Sequence, residues 1–368
     1  MSWIQRCASA LAGALAVVAV VAGVITVEAL DTPGSDSAEA KLAEWARDHG
    51  LGAQITWLER LQYERDPPAV GGTPPGGIPT PGGVVAPAAM SAVFTRSPLA
   101  SLAHGTPLPG EGVWQTVVTV RGLPAVQVAA LRPDDVHTSF VAGVIRMNPA
   151  LVRGELRPGS SDPGGSWHAA DFLTDAEQRD VAAVFNGGFR LNDRDRGGYY
   201  SEGRMVAPLV NGEASLVLHA DGTADVGAWG REVRMDPTVA SVRQNLVPLV
   251  DDGQVNPTCA TGGAKEWGKT IGQSAFIQRS GFGVTANGTE IYVGGPALSV
   301  CSLGRILQDA GVVRGMELDI NPAWVSGAYF HPSPSGAPTG YRLFPGEQVD
   351  PGHYLKPSSR DWYAWFAR

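Results

Sequence analysis

From residue 37 to 65 apolar side chains recur three and four positions apart, with Leu42, Trp45 and His49 on one face. Gly50 and Gly52 interrupt the pattern, and Ile55, Leu58 and Leu61 resume it, which predicts two short helices. So short a pair cannot bury a core of its own, so it is expected to pack on a neighbouring surface, a membrane or a second copy. Beyond residue 98 the pattern shortens to apolar runs and alternations, predicting strands at 117–120, 126–131, 141–146 and 181–185. Two hairpins stand out, one turning at Asp221-Gly222 within SLVLHADGTADVG and one at Asn287-Gly288 within FGVTANGTEIYVG. Ser302 is placed to cap a helix whose Leu303, Ile306, Leu307 and Ala310 form an apolar stripe ending at Gly311. That helix leads into a strand at 312–321, VVRGMELDIN, and a shorter one at 175–180 is expected to lead into 181–185. Hairpins combined with helix-then-strand units predict an α+β domain of mixed β-sheets with packed helices.

The two ends add a domain plan. Residues 7–27 contain no charged side chain, follow Arg6 and precede Glu28, and they match roughly one bilayer thickness of helix. The segment 1–30 is therefore expected to be a transmembrane signal anchor, placing the C-terminal bulk outside the cell membrane; the alternative is a cleaved signal peptide and a secreted protein. A helical segment at 36–65 follows. In residues 66–89 proline and glycine fill 13 of 24 positions, so 66–97 reads as a linker before a main domain at 98–368. With Cys7 in the apolar run, Cys259 and Cys301 are the only pair in the exported part, and in an oxidising compartment they are expected to form a disulfide. The net charge of −8, with Lys and Arg scattered singly, offers no stripe for a phosphate backbone and excludes nucleic acid as the natural partner.

Candidate chemistry gathers at strand ends. In 312–321 the two-residue period puts Glu317, Asp319 and Asn321 on one face, with the two carboxylates about 6.5–7 Å apart at Cα. That separation overlaps both carboxyl spacings used in glycoside hydrolysis. After the apolar run VAAVF, Asn186, Gly187 and Gly188 offer an amide and two positions where a ligand can approach the backbone or the chain can take unusual dihedrals. In the charged loop after them, Arg194, Asp195 and Arg196 read as solvated surface, whereas Glu202 and Arg204 could face a sugar or phosphate. Arg279 enters a buried strand and must either pair internally, with Asp319 the expected partner, or await a substrate anion. The histidines show no metal-ligand spacing, and neither a nucleotide loop nor a GxSxG elbow is present, so no metal and no cofactor are predicted.

The order FNGGF, SEGR, a strand with a DG turn, VPLVDDG, RSGFGVTANG, a helix and MELD resembles the phosphodiester glycosidase family over roughly residues 114–325. The resemblance implies an α+β fold and cleavage between a sugar's anomeric carbon and a phosphodiester oxygen. By position it aligns Asn186, Gly187 and Gly188 with the family's Asn-Gly-Gly element, Arg279 with its arginine and Asp319 with its late acid. It departs after that acid, where the family has Asp-Gly-Gly-Gly-Ser and this chain has Asp319-Ile320-Asn321-Pro322-Ala323-Trp324. The expectation is an anchored hydrolase of sugar-phosphodiester or related bonds in cell-envelope glycans. Asp319 and Glu202 would be catalytic, Arg204 and Arg279 would bind phosphate, and Asn186, Gly187, Gly188 and Asn321 would line the sugar site. The alternative is a non-catalytic envelope-glycan binding protein on the same fold.

Overall fold

The computed structural model describes residues 26–368 except 32, 33, 35, 90–92, 95, 96, 192–196, 269–274 and 332–336. Among the described residues there are three sheets, one of eight strands and two of five. Every pairing between their strands is antiparallel, for example Ile277–Thr285 with Glu290–Leu298 and Val181–Asn186 with Trp362–Ala367. This corrects the expected α+β class with mixed β-sheets: the fold is mostly β. The predicted hairpins explain the antiparallel ladders, since Gly222 and Gly288 take the positive φ values, 79° and 80°, that let adjacent strands reverse within a tight turn. The helix expected at 175–180 shrinks to one 3-10 turn, Glu177–Arg179, because so few residues form too few hydrogen bonds to offset the ordering of a first turn.

The Val300–Asp309 helix does form, though Ser299 caps it: Ser299 Oγ accepts from the Ser302 amide and Ser302 Oγ accepts from the Ser299 amide. Its Leu303, Ile306 and Leu307 are fully buried on the eight-stranded sheet, each contributing roughly 1.5–3 kcal/mol of burial. Between the sheets, Phe185 is the centre of an aromatic stack, with Tyr292 at 4.4 Å and Trp365 at 4.7 Å. The bond between Cys259 and Cys301 is present and ties the loop after the Gln254–Val255 strand to the first turn of that helix.

Near the N-terminus, helices Ala38–Ala46 and Gly52–Arg65 are joined by a kink at Gly50, whose φ is 80°. Trp45 and His49 stack at 3.9 Å just before it. The Pro/Gly-rich stretch lies along the β structure: Val85 donates to the Thr116 carbonyl, Ala88 to the Gly122 carbonyl, and Tyr329 donates to the Gly82 carbonyl. No helix among the described residues is long and apolar enough to cross a membrane. For the described residues this corrects the expected transmembrane anchor and the single-pass placement built on it. The apolar run 7–27 itself, except Thr26 and Val27, lies outside the described residues, as do Arg194, Asp195 and Arg196.

Candidate functional site

Two strand ends meet at the site. The Val312–Glu317 strand leaves its ladder after Glu317, two residues earlier than alternation requires to keep Asp319 in strand. Ser280 then holds the departing chain: its carbonyl accepts from the Leu318 amide at 2.8 Å and its own amide donates to the Asp319 carbonyl at 2.9 Å. Asn186, at the end of Val181–Asn186, locks the second element to the first. Its Nδ2 donates to Ser280 Oγ at 3.0 Å, and its Oδ1 accepts from the Tyr292 hydroxyl at 2.9 Å and the Ser326 amide at 3.1 Å.

Asp319 is 4% exposed. Its Oδ1 accepts from the Ile320 and Asn321 amides at 2.7 and 3.2 Å, and its Oδ2 lies 3.4 Å from Arg360 Nη2. Burial pushes its pKa up to about 6, against the opposing pull of Arg360 and the two amides. The Arg360 guanidinium also donates to the Gly188 carbonyl at 3.0 Å and sits 4.9 Å over the Trp324 ring. Asp162 and Glu44 stand 3.7 and 3.8 Å from it. Burial disfavours its charge, but the surrounding carboxylates outweigh that and raise its pKa. Beneath Gly188, Arg243 donates to Asp361 Oδ2 at 2.7 Å, with both side chains fully buried, and burial raises the Asp361 pKa. Asn245 closes the floor, accepting from the Phe189 amide and donating to the Glu317 and Leu318 carbonyls.

The two glycines serve close packing. A Cβ on Gly187 would fall 2.6 Å from the Asp361 carbonyl oxygen, and one on Gly188 3.2 Å from Asn245 Oδ1. Neither needs positive φ. Asn186, both glycines, Asp319, Arg360 and Asp361 line a cavity of about 530 Å³ to which His353, Lys356 and Trp324 contribute, together with Asp36, Ser37 and Glu39 from the N-terminal segment. The helical pair is tied over it, with Glu44 and Asp48 bonded to Arg190 at 2.8 and 2.7 Å.

Of the residues singled out in the sequence, Asp319, Asn186, Gly187 and Gly188 come together here. Asn321 faces the neighbouring cavity, its Oδ1 accepting from the Ala323 amide. Arg279 does not join them and does not pair with Asp319: it is buried and bonds Glu317, while its Nε donates to the Leu298 carbonyl. Glu317, one of the three polar groups expected on a shared face, is therefore spent in that pair. Glu202 is exposed and accepts from the His168 and Ala169 amides, which outweigh its partial burial and hold its carboxyl below the usual range. Arg204 donates to the Ser166 carbonyl and lies 3.7 Å over the Trp167 ring. Glu202 and Arg204 line neither this cavity nor the one beside it. Sequence reasoning passed over Arg360, Asp361, Arg243 and Glu44. The signal for the first two was the charged pair opening the otherwise aromatic segment RDWYAWFAR. Among the described residues no group of three or more His, Cys, Asp or Glu could hold a metal ion.

No family model matches the chain, and no curated protein does. Among solved structures it is similar to the zebrafish N-acetylglucosamine-1-phosphodiester alpha-N-acetylglucosaminidase catalytic domain auto-inhibited by its pro-peptide. That match has 15% identity and a TM-score of 0.44, over 75% of this chain and 97% of that one. A hypothetical protein from Synechocystis matches at 14% identity and TM-score 0.35, over 70% of this chain and 62% of that one. A protein from Burkholderia pseudomallei matches at 13% and 0.36, over 61% and 74%. These are distant fold relationships, so any activity has to be argued from this chain's own site.

Proposed function

We propose that the chain hydrolyses a glycosidic bond between a sugar and a phosphate-bearing group, with Asp319 as nucleophile or general base. One observation carries this reading: a buried carboxyl with a pKa near 6 faces the Arg360 guanidinium in a cavity of about 530 Å³, within the size range of small-molecule sites. Arg360 takes the role expected of Arg279 and Arg204, since its planar fork suits a phosphate and Lys356 lines the same cavity. The carboxylates of Asp319, Asp162 and Glu44 around it make the field negative where positive charge develops on the anomeric carbon. A phosphate ester leaves readily, so a site with Glu202 elsewhere can still work, because little protonation of the leaving oxygen is needed.

The test is hydrolysis of a sugar–phosphate–sugar substrate by the full chain. Asp319→Asn is expected to lower kcat by about 10²–10⁴-fold, the scale of a lost acid–base or nucleophilic group. Wild-type turnover in that variant would sink the assignment. A second reading, glycan binding without turnover, is favoured by the number of internal bonds that already engage Asn186 and Asp319 Oδ1. Tight glycan binding with no product would select it.

A further inference from the structure

Beside the Asp319 cavity lies a second, about 1050 Å³ against about 530 Å³. Ala323, Trp324 and Gln348 line both, as do Ser37 and Glu39, so the two spaces share a wall. The segment from Asp319 to Trp324 runs from one to the other: Asp319 faces the smaller, Asn321 and Pro322 the larger. In this stretch Ile320, Asn321 and Pro322 stand where the family it resembles has three glycines. Every residue lining the larger cavity from position 140 onward is uncharged, Phe140, Ile277, Pro296 and Ala297 among them. The opposite wall is the helical pair, presenting Ile55, Leu58 and Leu61, with Leu58 still 52% exposed. Its charged lining, Arg47 and Arg65 included, comes from the N-terminal segment alone.

We propose that the substrate is amphiphilic, a sugar phosphate carrying an acyl or prenyl tail, with its head in the Asp319 cavity and its tail in the larger one. The proposal rests on the hydrolase reading for the head group and names the class of the group beyond the phosphate. A sugar and phosphate fill the smaller space, whereas the adjoining apolar walls lose water only when an apolar chain enters. The helical pair is then the roof of the tail site, so the N-terminal segment belongs to the binding machinery.

The experiment measures binding of n-alkyl phosphates, from butyl to decyl and below their micelle concentrations, to the full chain, with inorganic phosphate as the tail-free reference. Affinity is expected to rise by about fourfold for each methylene that enters the cavity, then level off when the space is full. Ala43→Trp, which projects a large ring from the first helix into the cavity, is expected to flatten the series, so that decyl phosphate binds no more tightly than butyl phosphate. Leu58→Glu, at a half-exposed position that tolerates charge, provides a second variant should the first fail to fold. A flat wild-type series overturns the proposal, and so does a rise that both variants retain. The two readings fail separately. Turnover of a short sugar phosphodiester with a flat series removes only the tail site, whereas a rise sensitive to Leu58→Glu without any turnover removes only the hydrolase.

Discussion

The Arg279–Glu317 pair separates a structural arginine from a substrate arginine by free energy. Both side chains are essentially excluded from solvent, at 1% and 0% exposure, and the Arg279 Nε–Leu298 carbonyl bond satisfies one donor without balancing the charge. Glu317→Leu therefore leaves a guanidinium buried without its counter-charge, a change that costs roughly 3–5 kcal/mol in comparable settings. Replacing the pair together, Arg279→Met with Glu317→Leu, removes both charges and refills the space. It is expected to recover most of that loss, because the desolvation of two ions nearly offsets their attraction. Guanidinium unfolding of the four corners of this cycle yields the coupling, and turnover of the double variant reads out function. If Glu317→Leu lowers stability by less than about 1 kcal/mol, Arg279 has another counter-charge and the internal pairing is wrong. If the double variant folds as stably as the wild type and yet loses phosphate binding, Arg279 reaches the substrate and Arg360 has been given its role in error.

Other expectations follow from the same geometry. The Asp319 pKa rises from 3.8 to about 6 on folding, so the folded state holds its proton to higher pH than the unfolded chain. Stability therefore declines as pH rises across that window and then levels. Subtracting the urea-stability profile of Asp319→Asn isolates this step from those of Glu290 and Glu347, both pushed by burial to about 8. The kcat of the wild type should rise with pH through about 6 as the carboxylate forms, and a profile flat from pH 4 to 8 would contradict its role. Reducing Cys259–Cys301, separated by 42 residues, should cost about 4 kcal/mol on the chain-entropy estimate, measured as the shift in denaturation midpoint with and without reductant. Glu44→Gln removes a partly exposed carboxylate 3.8 Å from Arg360; inorganic phosphate should bind up to about fivefold more tightly by calorimetry, the scale of a surface ion pair.

Local patterns carried the strands and turns because those depend on near neighbours. The Asp-Gly and Asn-Gly pairs predicted both hairpins, and the apolar runs located 117–120, 126–131, 141–146 and 181–185 to within three residues at either end. Sheet membership was not legible in the same way. Antiparallel pairing of Trp362–Ala367 between Val152–Arg157 and Val181–Asn186 joins segments about two hundred positions apart, and no local period encodes it. The site divides along the same line. Asp319 and Asn186 showed themselves as polar residues ending apolar runs. Arg360 gave only a charge before an aromatic segment, and its meaning comes from contacts with Gly188 and Asp319, 172 and 41 positions away. Arg279 and Glu202 illustrate the converse: each residue type suited the chemistry, but each is satisfied by partners that only the folded chain brings near, Glu317 for one and the 168–169 backbone for the other.

The aromatic strand Trp362–Ala367 sits inside its sheet, with a neighbour on each side, and the residues just before it complete the cavity. A chain emerging in order from its N-terminus can pair its early strands, but it cannot close this sheet or bring a guanidinium to Asp319 until that late segment arrives. Such long sequence separations slow folding. The groups around Asp319 thus depend on a segment far along the chain, and a chain cut short before residue 360 would keep Asp319, Asn186 and both glycines without the guanidinium that faces that carboxylate.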